Sequence, residues 1–465
     1  MTCKWLPTLA LLGFNSLPLY AGETSTNAVP PPFGDRDTLT GDWGGMRTQL
    51  SDRGFDLGLE YTGEVLADVG GGVQRQALYQ HLLKTLLDFD LDKMTGWKGA
   101  QFHVSTLWLW GTEPNSKNDI VGATGAAFAD PSNISGYDTY RLYELWLEQD
   151  FMDGKVSVRF GQIALDEEFV CSEYASIFVN GTHGWPAFLS ATIPGGGEAY
   201  PVAGTGVQIH FEPTEEWELR AAIMDGAVDD QSENRNGIHF GFDDGEGFLA
   251  VVEAVYRYNQ NPGDRGLPGT CKIGGWYHSA KFDDLRHDTQ GVSLEDDGTL
   301  SGLASNGTPA SHRANGGAYF NIDQMLWRKC ADSDEGVGAH LRVAPWLPGD
   351  RSPLDFYAAG GLSLKGPLPG RREDMFALGA YYAHLSDSRR GVQEDANRIA
   401  ALGGTPNNLP PGPVPDYELG VEATYQISLA GWWVLQPDFQ YIFHPGGSSA
   451  IQDAVVIGLR THISF

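Results

Sequence analysis

Hydrophobic and polar positions alternate one by one along most of this chain. In "VVIGLRTHISF" (455–465), Val455, Ile457, Leu459, Thr461, Ile463 and Phe465 hold one phase. Gly458, Arg460, His462 and Ser464 hold the other, with Val456 as the exception. Phe55, Leu57, Leu59, Tyr61 and Val65 alternate in the same way with Asp56, Gly58, Glu60, Thr62 and Glu64. So do Phe102 to Trp110, Val156 to Phe160, Leu419 to Tyr425 and Trp433 to Phe443. A period of two predicts strands with one apolar and one polar face. Read this way the chain yields about sixteen strands. They begin near 55, 76, 99, 139, 155, 204, 216, 248, 270, 316, 335, 353, 373, 416, 431 and 452.

The connections between these strands alternate in length. "MDGK" (152–155), "EPTEE" (212–216) and "LAGWW" (429–433) are short and share one end. Long connections near 112–138, 165–203, 227–247, 283–315 and 387–415 share the other. Short-then-long alternation with an even strand count is the layout of an outer-membrane barrel. A soluble sandwich shows similar alternation but hides its apolar phase in a core, usually with shorter strands. In the strands quoted the apolar phase carries no Lys or Arg, while the polar phase carries Arg159, Arg220, Arg257, Arg342 and Arg460 beside Glu60, Glu144, Glu148, Glu253 and Glu422. Trp108, Trp110, Trp217, Tyr425 and Trp433 lie towards strand ends, where interfacial aromatic girdles form. The predicted fold is therefore all-β, a transmembrane antiparallel β-barrel of about sixteen strands. Its third external loop is expected to fold inwards.

Residues 1–21 read as a signal peptide: Lys4, an apolar run from Leu6 and a small residue at Ala21. Residues 22–54 form an N-terminal periplasmic segment with a short helix in "GDWGGMRTQLSDRG" (41–54), and 55–465 form the barrel. The net charge of −29 argues against nucleic acid as a partner. Cys271 and Cys330 share the apolar phase at what read as the outer ends of the ninth and tenth strands. They are the expected disulfide. Asp88, Asp90 and Asp92 lack the glycine of a calcium loop, since Lys93 stands there. His183, His210 and His278 lack metal-ligand spacing, so neither metal nor cofactor is expected. The acidic stretch 283–298 reads as a solvated outer loop. Paired carboxylates such as Glu144 and Glu148 keep a secreted β-rich carbohydrate-active enzyme as the alternative of another class.

The stretches "LTGDWGGMRTQLSDRGFDLGLEYTGEVLADVGGG" (39–72), "GQIALDEEFVCSEYASIFVNGTHGWPA" (161–187) and "IPGGGEAYPVAGTGVQI" (193–209) resemble the carbohydrate-selective porins, the OprB family. "GGWYHSAKFDDLR" (274–286) and "DQMLWR" (323–328) match as well. The resemblance implies a sixteen-stranded outer-membrane channel admitting glucose and related sugars by diffusion, with Cys171 as a departure from the family pattern. A general diffusion porin of the same architecture is the nearer alternative, and a surface barrel with a blocked lumen a further one. The implied partners are sugars, outer-membrane lipid and lipopolysaccharide, barrel-assembly machinery reading the strand that ends at Phe465, and further copies of the chain in a homotrimer.

The connection 165–203 is too apolar and aromatic for a solvated tip, and Gly195, Gly196 and Gly197 permit a tight path against the wall. Sugars present hydroxyls around their rim and a C–H face that packs on aromatic rings. Trp185 in the loop, Trp146, Glu144 and Glu148 on the preceding strand, and the cations Arg159 and Arg220 are the candidate sugar contacts. Acidic residues on the first four strands and the fourteenth, against basic ones on strands five to twelve, suggest a transverse field across the lumen.

Overall fold

The computed structural model describes residues 32–111, 119–126, 128–228, 234–240, 246–261, 263–330 and 333–465. The signal peptide expected at 1–21 lies outside them. Sixteen strands form along the chain. They are β1 (Phe55–Gly72), β2 (Gln76–Asp90), β3 (Ala100–Trp110), β4 (Thr139–Phe151), β5 (Val156–Ile163), β6 (Gly204–Phe211), β7 (Trp217–Asp225) and β8 (Phe248–Tyr258). There follow β9 (Gly269–Asp288), β10 (Pro309–Arg328), β11 (Gly336–Ala344), β12 (Leu354–Lys365), β13 (Met375–Leu385), β14 (Tyr417–Ala430), β15 (Trp433–Phe443) and β16 (Gln452–Ser464). Each pairs antiparallel with its sequence neighbours, and β1 pairs with β16 to close the barrel. Closure leaves no strand edge unpaired, which a backbone in hydrocarbon requires.

The two phases of the strands settle on opposite faces, and the polar one is inside. Glu64, Arg342, Glu422 and Gln436 are at most 2% exposed. Ile273, Ile223, Val252 and Leu378 stand accessible on the outer face. That distribution inverts a soluble core and fits a wall whose outer solvent is lipid. Phe248 and Tyr256 begin and end the outer face of β8 eight residues apart. At about 3.4 Å per residue and a tilt of about 40° they span roughly 20 Å of height, close to the apolar band of about 25 Å in such barrels.

Three sequence expectations change. Cys271 and Cys330 are free thiols. The strand β9 starts at the end that carries the termini, so Cys271 sits there, opposite Ile322 on β10. Cys330 lies eight residues beyond Ile322, in the connection to β11, more than about 20 Å along the chain path and far outside disulfide reach. Secondly, β9 and β10 run 20 residues each, further out than the apolar pattern indicates. Lys281, Asp283, Ser311 and Arg313 pair across this extension. With polar residues on both faces it shows no alternation. Thirdly, the acidic stretch 283–298 is ordered and partly buried. Asp296 accepts the amides of Gly298, Leu300 and Ser301, and Glu295 accepts those of Asn408 (2.8 Å) and Leu409 (2.9 Å) from the 386–416 connection. That connection contains a helix, Asp387–Ala401, capped by Ser386 and held to β9 by Arg286 on Asp395 at 2.8 and 2.9 Å. Gly391 makes room for this pair, because a Cβ there would lie 2.3 Å from the Arg286 guanidinium.

A helix at Met46–Asp52 lies where β1 begins. Its Arg47 donates to the Phe465 carbonyl at 2.6 Å and to that of Leu57. The Leu39 amide donates to Ser464. Leu341 lies mid-strand on the outer face of β11. Leu341→Arg is expected to destabilise the barrel by about 2–4 kcal/mol, read by urea unfolding in lipid bilayers.

Candidate functional site

Residues 164–203, between β5 and β6, fill much of the lumen. Phe169, Val170, Phe178, Val179, Phe188 and Leu189 are all at most 2% exposed. Most of them pack with inward rings of the wall, including Tyr319 on β10, Tyr357 on β12 and Tyr381 on β13. The barrel therefore has an apolar core, supplied by a loop and by aromatic residues on the otherwise polar phase.

A backbone buried in this way needs partners for its amides and carbonyls. The wall provides them with charged and amide side chains. Glu253 on β8 accepts the Val170 amide at 3.0 Å, and Glu422 on β14 accepts the amides of Val179 (2.6 Å) and Asn180 (3.0 Å). Arg342 on β11 donates to the carbonyls of Val170 (2.5 Å), His183 (3.0 Å) and Thr182. Lys272 on β9 and Asn321 on β10 both donate to the Cys171 carbonyl at 2.8 Å. Asp323 on β10 accepts the Ser172 hydroxyl at 2.5 Å. These partners come from five strands, so the loop spans the lumen. Cys171 is thus a half-buried thiol within the anchoring segment, and desolvation pushes its pKa up to about 12.

The predicted residues fall into two places. Glu144, Trp146 and Glu148 line β4 beside Arg159 on β5, where the loop leaves the wall. Arg159 donates to Glu148 at 2.9 Å and Glu168 at 3.3 Å, and lies 3.9 Å over the Trp146 ring. His103, from the strand on the other side, stacks on the same ring at 4.8 Å. Trp146 therefore presents neither a free face nor more than 7% exposure. Glu144 accepts the Ala164 amide at 3.3 Å. Arg220 pairs with Glu218 and Glu253 and donates to the Glu168 carbonyl. Burial disfavours a charged Glu168, but Arg159, His210 and Arg220 outweigh it and hold its pKa below the usual carboxylate value. Trp185 stands apart from this cluster. Its indole N–H donates to the Gly196 carbonyl at 2.8 Å, inside the turn of Gly195, Gly196 and Gly197. All three glycines have positive φ, and a Cβ on Gly195 would meet Val228 at 2.7 Å.

Part of the charge lining the lumen is paired between neighbours. Arg460 on β16 pairs with Glu64 on β1 at 2.6 Å, and Arg159 and Arg220 are bound to carboxylates beside them. These three cations are neutralised locally by neighbours.

A small cleft remains between β1, β2 and β16 and the connection that joins β3 to β4. Glu60, Thr62, Leu82, Lys84 and Arg460 line it from the wall, with Asn133 and Ile134 from the connection between β3 and β4. Lys84 also reaches the loop, donating to Glu167 at 2.7 Å. Lys84 and Asn133 carry no motif. Their inward phase was readable, but their meeting depends on how two loops fold into the lumen.

Residues 74–465 match the model of the carbohydrate-selective porins, OprB family. The chain belongs to that family. It is 28% identical over 443 residues to Porin B of Pseudomonas aeruginosa, an alignment covering 92% of this chain and 91% of that one. It is 24% identical over 447 residues to the putative porin QuiX of Acinetobacter baylyi, covering 93% and 94%. The high-pH structure of Pseudomonas putida OprB superposes with a TM-score of 0.81 at 24% identity, over 94% of this chain and all of that one. The sixteen-stranded barrel and the family place this porin in the outer membrane. Both point to a channel rather than an enzyme.

Two outcomes follow from the anchoring of the loop. Glu422→Ala strands two buried amides, at about 1–3 kcal/mol each. Single-channel current should become noisier, and residues 165–203 should become protease-sensitive. Glu198, on the same loop, is 1% exposed; burial and then Asp225 raise its pKa to about 8. The folded state therefore holds a proton that the unfolded chain releases near pH 4.3. Stability from this group is present below that pH and is lost as pH rises towards about 8. Thermal unfolding should show this decline, and Glu198→Gln should flatten it.

Proposed function

We propose that glucose-like sugars cross this porin through the cleft bounded by Glu60, Lys84, Asn133 and Arg460. The observation that carries the reading is the composition of that cleft. Two cations, a carboxylate, an amide and a hydroxyl surround a space with apolar patches at Leu82 and Ile134. Hydroxyls of a pyranose bond well to charged groups, and its C–H face needs an apolar surface. Binding must stay weak for conduction, and a millimolar Kd is only about −4 kcal/mol.

In this reading Glu144, Trp146, Glu148, Arg159 and Arg220 set the aperture at one remove, by fixing where the loop departs from the wall. Trp185 braces the turn that follows. Outer-membrane lipid and lipopolysaccharide cover the apolar phase, and barrel-assembly machinery reads β16 and Phe465. The homotrimer is carried as an assembly for cross-linking in detergent to detect.

The test is ion current across a planar bilayer with glucose titrated in. Glucose should partly block the wild-type current. Lys84→Ala removes a charged donor worth about 1.5–3 kcal/mol and should weaken that block about tenfold or more. Trp185→Ala should change it less. Current indifferent to glucose in the wild type would favour a general diffusion pore.

A further inference from the structure

At the outer mouth of the barrel, three side chains from separate segments aim at one point. Asp284 comes from the extended part of β9, His312 from β10 and Asp350 from the connection between β11 and β12. The His312 Nε2 lies 2.8 Å from Asp284 Oδ2 and 3.6 Å from Asp350 Oδ2. The candidate ligand atoms all lie within 4.8 Å of one another. From this arrangement we propose a binding site for a first-row divalent transition ion, distinct from the sugar path, at Asp284, His312 and Asp350.

Hydrogen bonding alone does not account for the arrangement. A neutral imidazole has one N–H, yet both carboxylates converge on the same ring nitrogen. A cation bound there satisfies all three. With bonds of about 2.0–2.2 Å, tetrahedral ligands stand roughly 3.3–3.6 Å apart. The two spacings to Nε2 need only small adjustments to reach that value.

The ligands are also held in place from behind, as metal ligands usually are. Asp284 Oδ1 accepts the amides of Arg286 (2.8 Å) and His287 (2.7 Å). Asp350 is oriented by Arg351 at 2.8 and 3.0 Å, and Arg351 is itself held by the Ala314 carbonyl at 2.9 Å. The Leu285 amide donates to the Asp350 carbonyl at 2.8 Å, which fixes the connection against β9. Nitrogen with carboxylate oxygen suits Zn²⁺, Ni²⁺ or Cu²⁺ better than Ca²⁺ or Mg²⁺, which prefer oxygen alone. The positive charge of Arg351 weakens the site. A bound ion would tie three wall segments together above the loop.

The experiment is calorimetric titration of Zn²⁺, and separately of Ca²⁺, into the chelator-stripped barrel in detergent. Heat-modifiable gel migration confirms folding of every variant. One Zn²⁺ per chain is expected, with affinity reduced at least tenfold in His312→Gln and in Asp350→Asn. Asp350 lies in a connection, so its variant tests the site even if the β10 variant misfolds. His384 bonds Asp355 and Asp416 through different ring nitrogens. His384→Gln should therefore bind as the wild type does. Co²⁺ should give a visible absorption band that His312→Gln abolishes. No Zn²⁺ binding, wild-type affinity in both variants, or displacement by equimolar Ca²⁺ would overturn the site.

Discussion

A backbone that enters a closed barrel must find a partner for every amide and carbonyl it buries, and this wall meets that requirement largely with acidic and basic side chains. Glu253, Glu422, Arg342 and Lys272 each bond to main-chain atoms of the 164–203 loop. Bonds with an ionised partner are roughly twice as strong as neutral ones. They also fix direction: a carboxylate can only receive an amide, and a guanidinium can only serve a carbonyl. The arrangement specifies one path for the loop. The apolar residues of that loop can then pack among Tyr319, Tyr357 and Tyr381.

The same constraint explains why many of the charges in the lumen lie beside a partner. Removing an ion from water costs several kcal/mol unless a partner compensates it. The wall residues with long side chains find partners on adjacent strands or on the loop, as Arg460 does with Glu64 and Arg159 with Glu148 and Glu168. Pairing at short range extends to the cleft beside β1, β2 and β16, where Lys84 meets Glu167 and Arg460 meets Glu64.

The strands were legible because a period of two survives wherever one face meets lipid and the other meets water. The predicted starts at 55, 139, 204, 248 and 452 coincide with β1, β4, β6, β8 and β16. Legibility stopped where that contrast stops. Above the membrane, the extension of β9 and β10 has polar residues on both faces, so β10 begins at Pro309 rather than near 316. The helix Asp387–Ala401 left a signal that alternation could not show: Ser386 at its cap, and Val392, Ala396 and Ile399 buried at helical spacing. The site was half legible. Inward phase identified Glu144, Glu148 and Arg159, but phase says nothing about partners. That is why Trp146 read as an open ring when His103 and Arg159 cover it. Lys84 and Asn133 had no local signature, since their role arises only when two distant connections approach the same wall.

The seam between β1 and β16 joins residues nearly four hundred positions apart, as Glu64 and Arg460 show. Arg47, on the helix before β1, grips the carbonyl of Phe465 across it. Sealing must therefore wait until the final hairpin has been delivered. Until then β1 is an open edge, which hydrocarbon does not tolerate. The cylinder is zipped by its youngest residues onto its oldest, so the ring can close only once β16 is in place.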